Sequence, residues 1–130
     1  MPVSTITLQK GKSPDYVRAL SGGLHGALVE AFDVPPDDRF QVIHQLEPDA
    51  LVYDRHYLGG PRSGDFVLIQ ITAGRERSPS VKAAFYQRLV ALLAEAPGLR
   101  PEDVMVVVTT TTADGWSFGG GRTWQSGAKA

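Results

Sequence analysis

The sequence has no cysteine, so it can form neither a disulfide framework nor a thiolate metal site. Its three histidines do not stand at the spacing of metal ligands, and neither a metal nor an organic cofactor is expected. No stretch approaches the roughly eighteen apolar residues of a membrane span, and the amino terminus lacks the basic region and apolar run of a signal peptide. We therefore expect a cytoplasmic protein without a membrane partner.

Charge of one sign is not in excess, because 13 basic side chains are balanced by 14 acidic ones and the formal net charge is -1. A chain with no basic field has little attraction for phosphate backbones, so nucleic acid is not expected as a partner. The 130 residues, 42% of them hydrophobic, are enough to bury one core. We expect residues 1–130 to form a single domain.

The chain is similar to itself at an offset of 65 residues, half of its length. Aligning residues 3–45 with 68–110 gives 12 identities in 43 positions, where about two or three are expected by chance. Ser13-Pro14 matches Ser78-Pro79 in this alignment, and Asp38 matches Asp103. The simplest explanation is that the domain contains two copies of one unit, at about 2–64 and 65–130.

Each copy has the pattern of a strand, a helix and a second strand. Val3–Leu8 and Phe66–Thr72 are short β-compatible runs. A Ser-Pro pair follows in each copy, and it supplies a capping oxygen and a proline suited to the first helical turn. After the helices, second strands are predicted at Phe40–Gln45 and Val104–Thr110. Two β-α-β units predict an α/β fold with a four-stranded mixed sheet and both helices on one face.

The other face of this sheet is predicted to be open. The last strand is apolar on both sides, so the open face is expected to need a cover, which a partner subunit could supply. Residues 46–64 are expected to form a long loop with a short strand at Leu51–Tyr53. Residues 111–130 are expected to form a glycine-containing tail that a single chain would not bury.

Pro2 is the residue best suited to acid-base chemistry. A small residue after the initiator favours removal of Met1, which would leave Pro2 with a free secondary amine. An α-amino group has a reference pKa of about 7.7–8.0, and an apolar pocket or neighbouring arginines would lower this pKa toward that of a base at neutral pH. The alternative is that Pro2 only begins an exposed strand, where its lack of a donor is harmless.

Three further charged residues are candidates for a site. Arg75 and Arg77 lie between the third strand and the second helix, where two guanidinium groups could converge on a carboxylate. The alternative is a solvated basic turn, with Lys10 and Lys12 at the equivalent place in the first copy. Asp38 precedes the second strand, where it could orient a water molecule near a base or simply cap a turn.

The segment Trp116-Ser117-Phe118 places two large aromatic side chains among glycines. These side chains could form an apolar wall for a ligand or a packing plug between subunits. The sequence leaves both interpretations open.

The arrangement resembles the tautomerase superfamily, and within it most nearly the malonate semialdehyde decarboxylase branch. The resemblance is carried by Pro2, by residues 35–41 (PPDDRFQ), by residues 75–78 (RERS) with Phe85-Tyr86, and by residues 116–122 (WSFGGGR). It implies two β-α-β units in a homotrimer, chemistry without a cofactor, and a small carboxylate as substrate.

The same resemblance implies roles for the charged residues. Pro2 would be the central acid-base group, and Asp38 would activate water or guide decarboxylation. Arg75 and Arg77 would bind the substrate carboxylate and polarise it.

Trp116 and Phe118 would, by the same resemblance, line an apolar wall that favours the loss of carbon dioxide. The expected activity is decarboxylation of a small 3-oxo acid such as malonate semialdehyde. Alternatives are a keto-enol tautomerase acting on a phenylpyruvate-like substrate and a hydratase or dehalogenase of a three-carbon unsaturated acid. A binding or signalling trimer with a vestigial pocket is the alternative outside enzymology.

Overall fold

Four strands and two helices form the framework of the computed structural model, which describes residues 1–124. The elements are β1 (Pro2–Gln9), α1 (Pro14–Ala31), β2 (Gln41–Leu46), β3 (Val67–Ala73), α2 (Pro79–Glu95) and β4 (Val104–Thr110), with single 3-10 turns at Pro48–Ala50, Pro101–Asp103 and Ala113–Gly115. The order is that of two β-α-β units. The predicted α/β fold is confirmed, with strand ends that differ from the predicted ones by one residue or none.

Both helices begin at the Ser-Pro pairs, as predicted. The Ser13 hydroxyl oxygen accepts a hydrogen bond from the backbone N–H of Tyr16 at 3.1 Å, and Ser78 does the same for Val81 at 3.2 Å. These bonds satisfy N–H groups that have no partner inside a first helical turn. The local sequence is therefore sufficient to position the start of each helix.

The sheet has the order β2-β1-β3-β4 and is mixed. β1 runs parallel to β2, β3 runs parallel to β4, and the central pair β1 and β3 is antiparallel. In this register Pro2 lies opposite Ala73, and Ser4 lies opposite Gln41. The start of β1 is therefore adjacent both to the end of β3 and to the residues that precede β2.

One face of the sheet packs against both helices and forms the core. Among the fully buried members are Ile6, Leu20, Leu24, Phe32, Ile69, Ile71, Phe85, Leu89 and Leu93. The two helices also pack against each other at Gly23, where a Cβ atom would lie 2.7 Å from the Cδ2 atom of Leu93. The prediction that both helices lie on one face is confirmed.

The opposite face of the sheet has no cover within the described chain. Val3, Val42, Met105 and Val107 lie on its strands, and their exposed fractions are between 37% and 49%. Apolar side chains in this number on adjacent strands form a patch that folding of one chain does not bury. The expected open face is therefore present.

The predicted strand at Leu51–Tyr53 is wrong, because no described strand pairs with these residues, and the loop that follows is held by its own polar side chains. The carboxylate of Asp54 accepts from two backbone N–H groups of the loop, both at 2.8 Å, and the Arg62 guanidinium donates to loop carbonyl groups. The loop is tied to the body by Asp103, which accepts from the Ser63 N–H at 2.6 Å and from its hydroxyl at 2.7 Å.

Candidate active site

The start of the chain lies where three segments meet. Pro2 is buried opposite the last residue of β3, and the backbone N–H of Gly74 donates to the carbonyl oxygen of Met1 at 2.9 Å. On the other side, the N–H of Ser4 donates to the carbonyl of Phe40 at 3.0 Å, which brings the segment before β2 alongside the amino terminus. Met1 is buried between these segments, with 6% of its surface exposed.

Asp38 forms an ion pair with the terminal ammonium group. The Met1 nitrogen lies 2.6 Å from Oδ2 of Asp38, and the two side chains are 7% and 10% exposed. Burial lowers the pKa of this amine below its ordinary value, whereas the hydrogen bond and the charge of Asp38 raise it, and the charges of Arg77 and Arg75 lower it. The net direction is downward, so an amine at this place gives up its proton more readily than an exposed terminus does.

Arg77 is built into the protein beside this ion pair. Only 5% of it is exposed, and its Nε and Nη2 atoms donate to the Phe32 carbonyl at 3.1 and 3.0 Å while Nη1 donates to the Arg75 carbonyl at 3.1 Å. Burial, reinforced by the charge of Arg75, lowers the pKa of Arg77 to about 10. Within residues 1–124, three of the five N–H donors of the guanidinium group are engaged, which leaves two that could bind a ligand.

Arg75 is more exposed than Arg77. Its side chain is 46% exposed, and Nη2 donates to the carboxylate of Asp33 at 2.6 Å. Asp33 is itself 88% exposed, so this ion pair is open to water and weak. The structure brings both predicted arginines close enough to the amine to lower its pKa, but it gives one a fixed place and leaves the other able to move.

Trp116 and Phe118 form a stacked aromatic pair near the end of β3. Their ring centroids are 5.6 Å apart with an interplanar angle of 16°. The indole N–H of Trp116 donates to the hydroxyl of Thr111 at 2.6 Å, and that hydroxyl donates to the carbonyl of Ala73 at 2.8 Å. This chain of hydrogen bonds holds Trp116 beside the residue that faces Pro2 across the sheet.

Trp124 is part of the same cluster and was not predicted from the sequence. Its backbone N–H donates to the Trp116 carbonyl at 2.8 Å, and its ring meets Phe118 edge-on with centroids 6.0 Å apart. Residues 111–124 agree with the expectation of a tail that a single chain does not bury, because most of them are exposed and Trp116 and Trp124 are only half-buried. Residues 125–130 lie outside the described part.

Trp124 could have been predicted on the same ground as Trp116, because both are tryptophans in a glycine-containing segment. Gly74 was also missed, although it stands next to Arg75. Its contact with Met1 depends on strand pairing, and no local pattern reveals it. The indole N–H of Trp124 is buried and has no acceptor among residues 1–124.

Residues 1–124 contain neither a metal-binding cluster nor a membrane-spanning helix. No group of three or more histidine, aspartate or glutamate side chains there is arranged to hold a metal ion. No helix in that part of the chain combines the length and the apolar character needed to cross a membrane.

The fold and the position of the site define a class of protein. Its members are α/β chains that contain two β-α-β units and have a site at the amino terminus. Two family models, both described as tautomerase enzyme, match residues 38–119 and 2–59. Probable tautomerase YusQ of Bacillus subtilis (strain 168) is 34% identical over 122 residues, which are 94% of this chain and 96% of that protein. The chain belongs to the tautomerase superfamily of enzymes.

Solved structures agree with this assignment. A structure of malonate semialdehyde decarboxylase, described in terms of its decarboxylase and hydratase activities, is 35% identical with a TM-score of 0.87, and the match covers 92% of each chain. Fused 4-OT, solved as a symmetric trimer, is 17% identical with a TM-score of 0.76 over 93% of this chain and 94% of that one. At that identity the second likeness concerns the fold alone.

Proposed function

We propose that the chain, once Met1 is removed, is a homotrimeric enzyme without a cofactor in which the Pro2 amine moves protons on a small oxo carboxylate. The observation that carries this proposal is the buried ion pair between the terminal amine and Asp38, with two arginines beside it. Removal of Met1 converts the Pro2 nitrogen from an amide into a secondary amine in the same surroundings. Burial and the two guanidinium charges then lower its pKa toward neutrality.

Decarboxylation of a 3-oxo acid such as malonate semialdehyde is the reaction we favour. Arg75, which is free to move, and the two unused N–H groups of Arg77 would bind the carboxylate. Protonated Pro2 would donate a hydrogen bond to the 3-carbonyl oxygen as the bond between C1 and C2 breaks, so that the electron pair moves into the enolate and carbon dioxide leaves. A proton then adds to C2. The stacked Trp116 and Phe118 would supply the apolar surroundings that favour loss of the charged group.

Keto-enol tautomerisation of a phenylpyruvate-like acid is the second candidate. It needs the same groups, since Pro2 would carry a proton between the enol oxygen and C3 while the arginines hold the carboxylate. The name of the relative YusQ, a probable tautomerase, favours it. Hydration of a three-carbon unsaturated acid would instead use Asp38 to orient water.

The experiment compares Pro2→Ala, Arg75→Ala and Asp38→Asn with the parent on malonate semialdehyde and phenylpyruvate, with intact mass used to establish loss of Met1. A decrease of about 10²- to 10⁴-fold in kcat/KM is expected for Pro2→Ala, the usual effect of general acid-base catalysis. An electrophile that labels the Pro2 nitrogen should abolish turnover. Full activity of the Pro2 variant refutes the mechanism, and a parent without turnover favours the binding or signalling trimer.

The trimer is proposed from the open sheet face. Its exposed valines and methionine need a cover, and fused 4-OT, which shares the fold, has been solved as a trimer. Val107→Asp on this face is expected to give monomers by light scattering. Gln87→Asp, on the exposed side of α2, is the matched control and should leave the assembly unchanged. A trimeric Val107→Asp variant would show that the cover lies elsewhere.

A further inference from the structure

Met1 occupies a defined space beside the Pro2 nitrogen. Its ammonium group contacts Asp38, its carbonyl oxygen accepts from the Gly74 N–H, and its side chain is buried with the rest of the residue. When Met1 leaves, both the space and the Gly74 donor are released. By peptide geometry the carbonyl oxygen lies about 2.3 Å from the nitrogen of the next residue, so any acceptor that replaces it on Gly74 lies beside the Pro2 amine.

The position of Gly74 has little space for a side chain. It does not have a positive φ, so its backbone does not require glycine. A Cβ atom at this position would lie 2.8 Å from Cβ and 3.1 Å from Cγ of Met1, and 3.1 Å from Cζ3 of Trp124. Any larger residue would therefore intrude between the Met1 side chain and the Trp124 ring.

Taken with the proposed function, on which it rests, this geometry leads to one assignment. We propose that Gly74 determines specificity in the processed chain: its N–H binds a substrate oxygen next to Pro2, and its missing Cβ opens an apolar subsite along Trp124. Because this subsite holds a methionine side chain, which has four heavy atoms in a row, it fits an oxo acid with a straight apolar substituent of that length.

Two ligands separate the subsite from the carboxylate site. Pyruvate carries a methyl group, whereas 2-oxohexanoate carries a four-carbon chain that matches the Met1 side chain. Calorimetry on the processed parent should show that 2-oxohexanoate binds about tenfold or more tightly than pyruvate, since each buried methylene group adds to the affinity. Equal affinities, or no binding of either acid, would overturn the assignment.

Gly74→Ala is the decisive variant. It should weaken the binding of 2-oxohexanoate at least about tenfold and that of pyruvate by less, because pyruvate has only the first of the two carbon atoms that the new methyl group would meet. Adding Trp124→Phe should restore much of the loss, because phenylalanine lacks the ring atom that the new methyl group meets. Gly64→Ala, whose Cβ would meet nothing within 4 Å, is the control and should leave both affinities unchanged. Circular dichroism establishes that every variant is folded.

The two proposals fail in different ways. If Gly74→Ala lowers the ratio of the 2-oxohexanoate affinity to the pyruvate affinity but no oxo acid is turned over, the subsite stands and the enzymatic proposal fails. If malonate semialdehyde is turned over but Gly74→Ala leaves the ratio unchanged, the enzymatic proposal stands and the subsite is refuted.

Discussion

Asp38→Asn tests whether the carboxylate holds a proton on the amine beside it. In the chain that retains Met1, the two groups are 2.6 Å apart and both side chains are 10% exposed or less. A hydrogen bond to a charged group contributes about 1.5–3 kcal/mol. Because the hydrogen bond and the charge of Asp38 raise the pKa of the amine, removing that charge is expected to lower this pKa below its value in the parent.

The pKa can be measured directly, because the sequence has only two methionines, Met1 and Met105. A chain prepared with methionine aminopeptidase inhibited and labelled with carbon-13 methionine has one signal set from the terminus and one from Met105, which serves as an internal reference. Asp37→Asn removes the same charge from an exposed neighbour and should change the pKa of the amine much less than Asp38→Asn does. An amine pKa in Asp38→Asn that equals or exceeds that of the parent would refute the reasoning.

The same ion pair makes stability depend on pH. The pKa of the folded amine lies below its value of 8.0 in an unfolded chain, so the unfolded state binds more protons between the two values. The contribution of the amine to the free energy of unfolding is then fully present above about pH 8 and is lost as the pH falls through the folded pKa. The pKa of the folded amine is lower still in Asp38→Asn. The free energy of unfolding of this variant, measured in urea, should therefore fall further below that of the parent as the pH decreases from about 9 to about 6. A difference in unfolding free energy between variant and parent that does not change with pH would contradict this linkage.

Four further predictions concern the two arginines, Asp103 and Met1. Arg75→Ala should raise KM for a carboxylate about tenfold and change the free energy of unfolding by less than about 1 kcal/mol, because its ion pair is exposed. Arg77→Ala should lower the free energy of unfolding, measured in urea, by about 2–4 kcal/mol, because a buried hydrogen-bonded group is lost. Asp103→Ala should destabilise the chain by about 2 kcal/mol with kcat/KM per folded molecule unchanged. A chain that retains Met1 should be at least about 100-fold less active, and aminopeptidase treatment should restore activity as intact mass records the loss of Met1.

The framework could be predicted because its signals are local. The Ser-Pro pairs hold the capping bonds that start both helices, and a β-compatible run marks each strand. The loop strand predicted at Leu51–Tyr53 failed for the opposite reason. No described strand pairs with these residues, and the loop after them is held by the side chains of Asp54 and Arg62, which no periodicity in the sequence shows.

The candidate site could be predicted as a set of residues but not as an arrangement. Arg75 and Arg77 are chemically identical and two positions apart, yet only Arg77 is buried, because it lies over the Phe32 ring at 4.2 Å and reaches the Phe32 carbonyl just past the end of α1. That contact depends on how α1 and the β3–α2 connection pack. Gly74 was missed for the same reason, since its contacts run to Met1 and toward Trp124, both far from it in the sequence.

The internal repeat accounts for the presence of one amine rather than two. At the offset of 65, Met1 corresponds to Phe66 and Asp38 to Asp103, and all four are largely buried. Asp103 accepts from the N–H and hydroxyl of Ser63, where Asp38 contacts the terminal ammonium. Because the chain continues through Phe66, no peptide nitrogen there can become an amine. The second half therefore uses the buried carboxylate to hold a loop, while in the first half the same position faces a nitrogen that titrates.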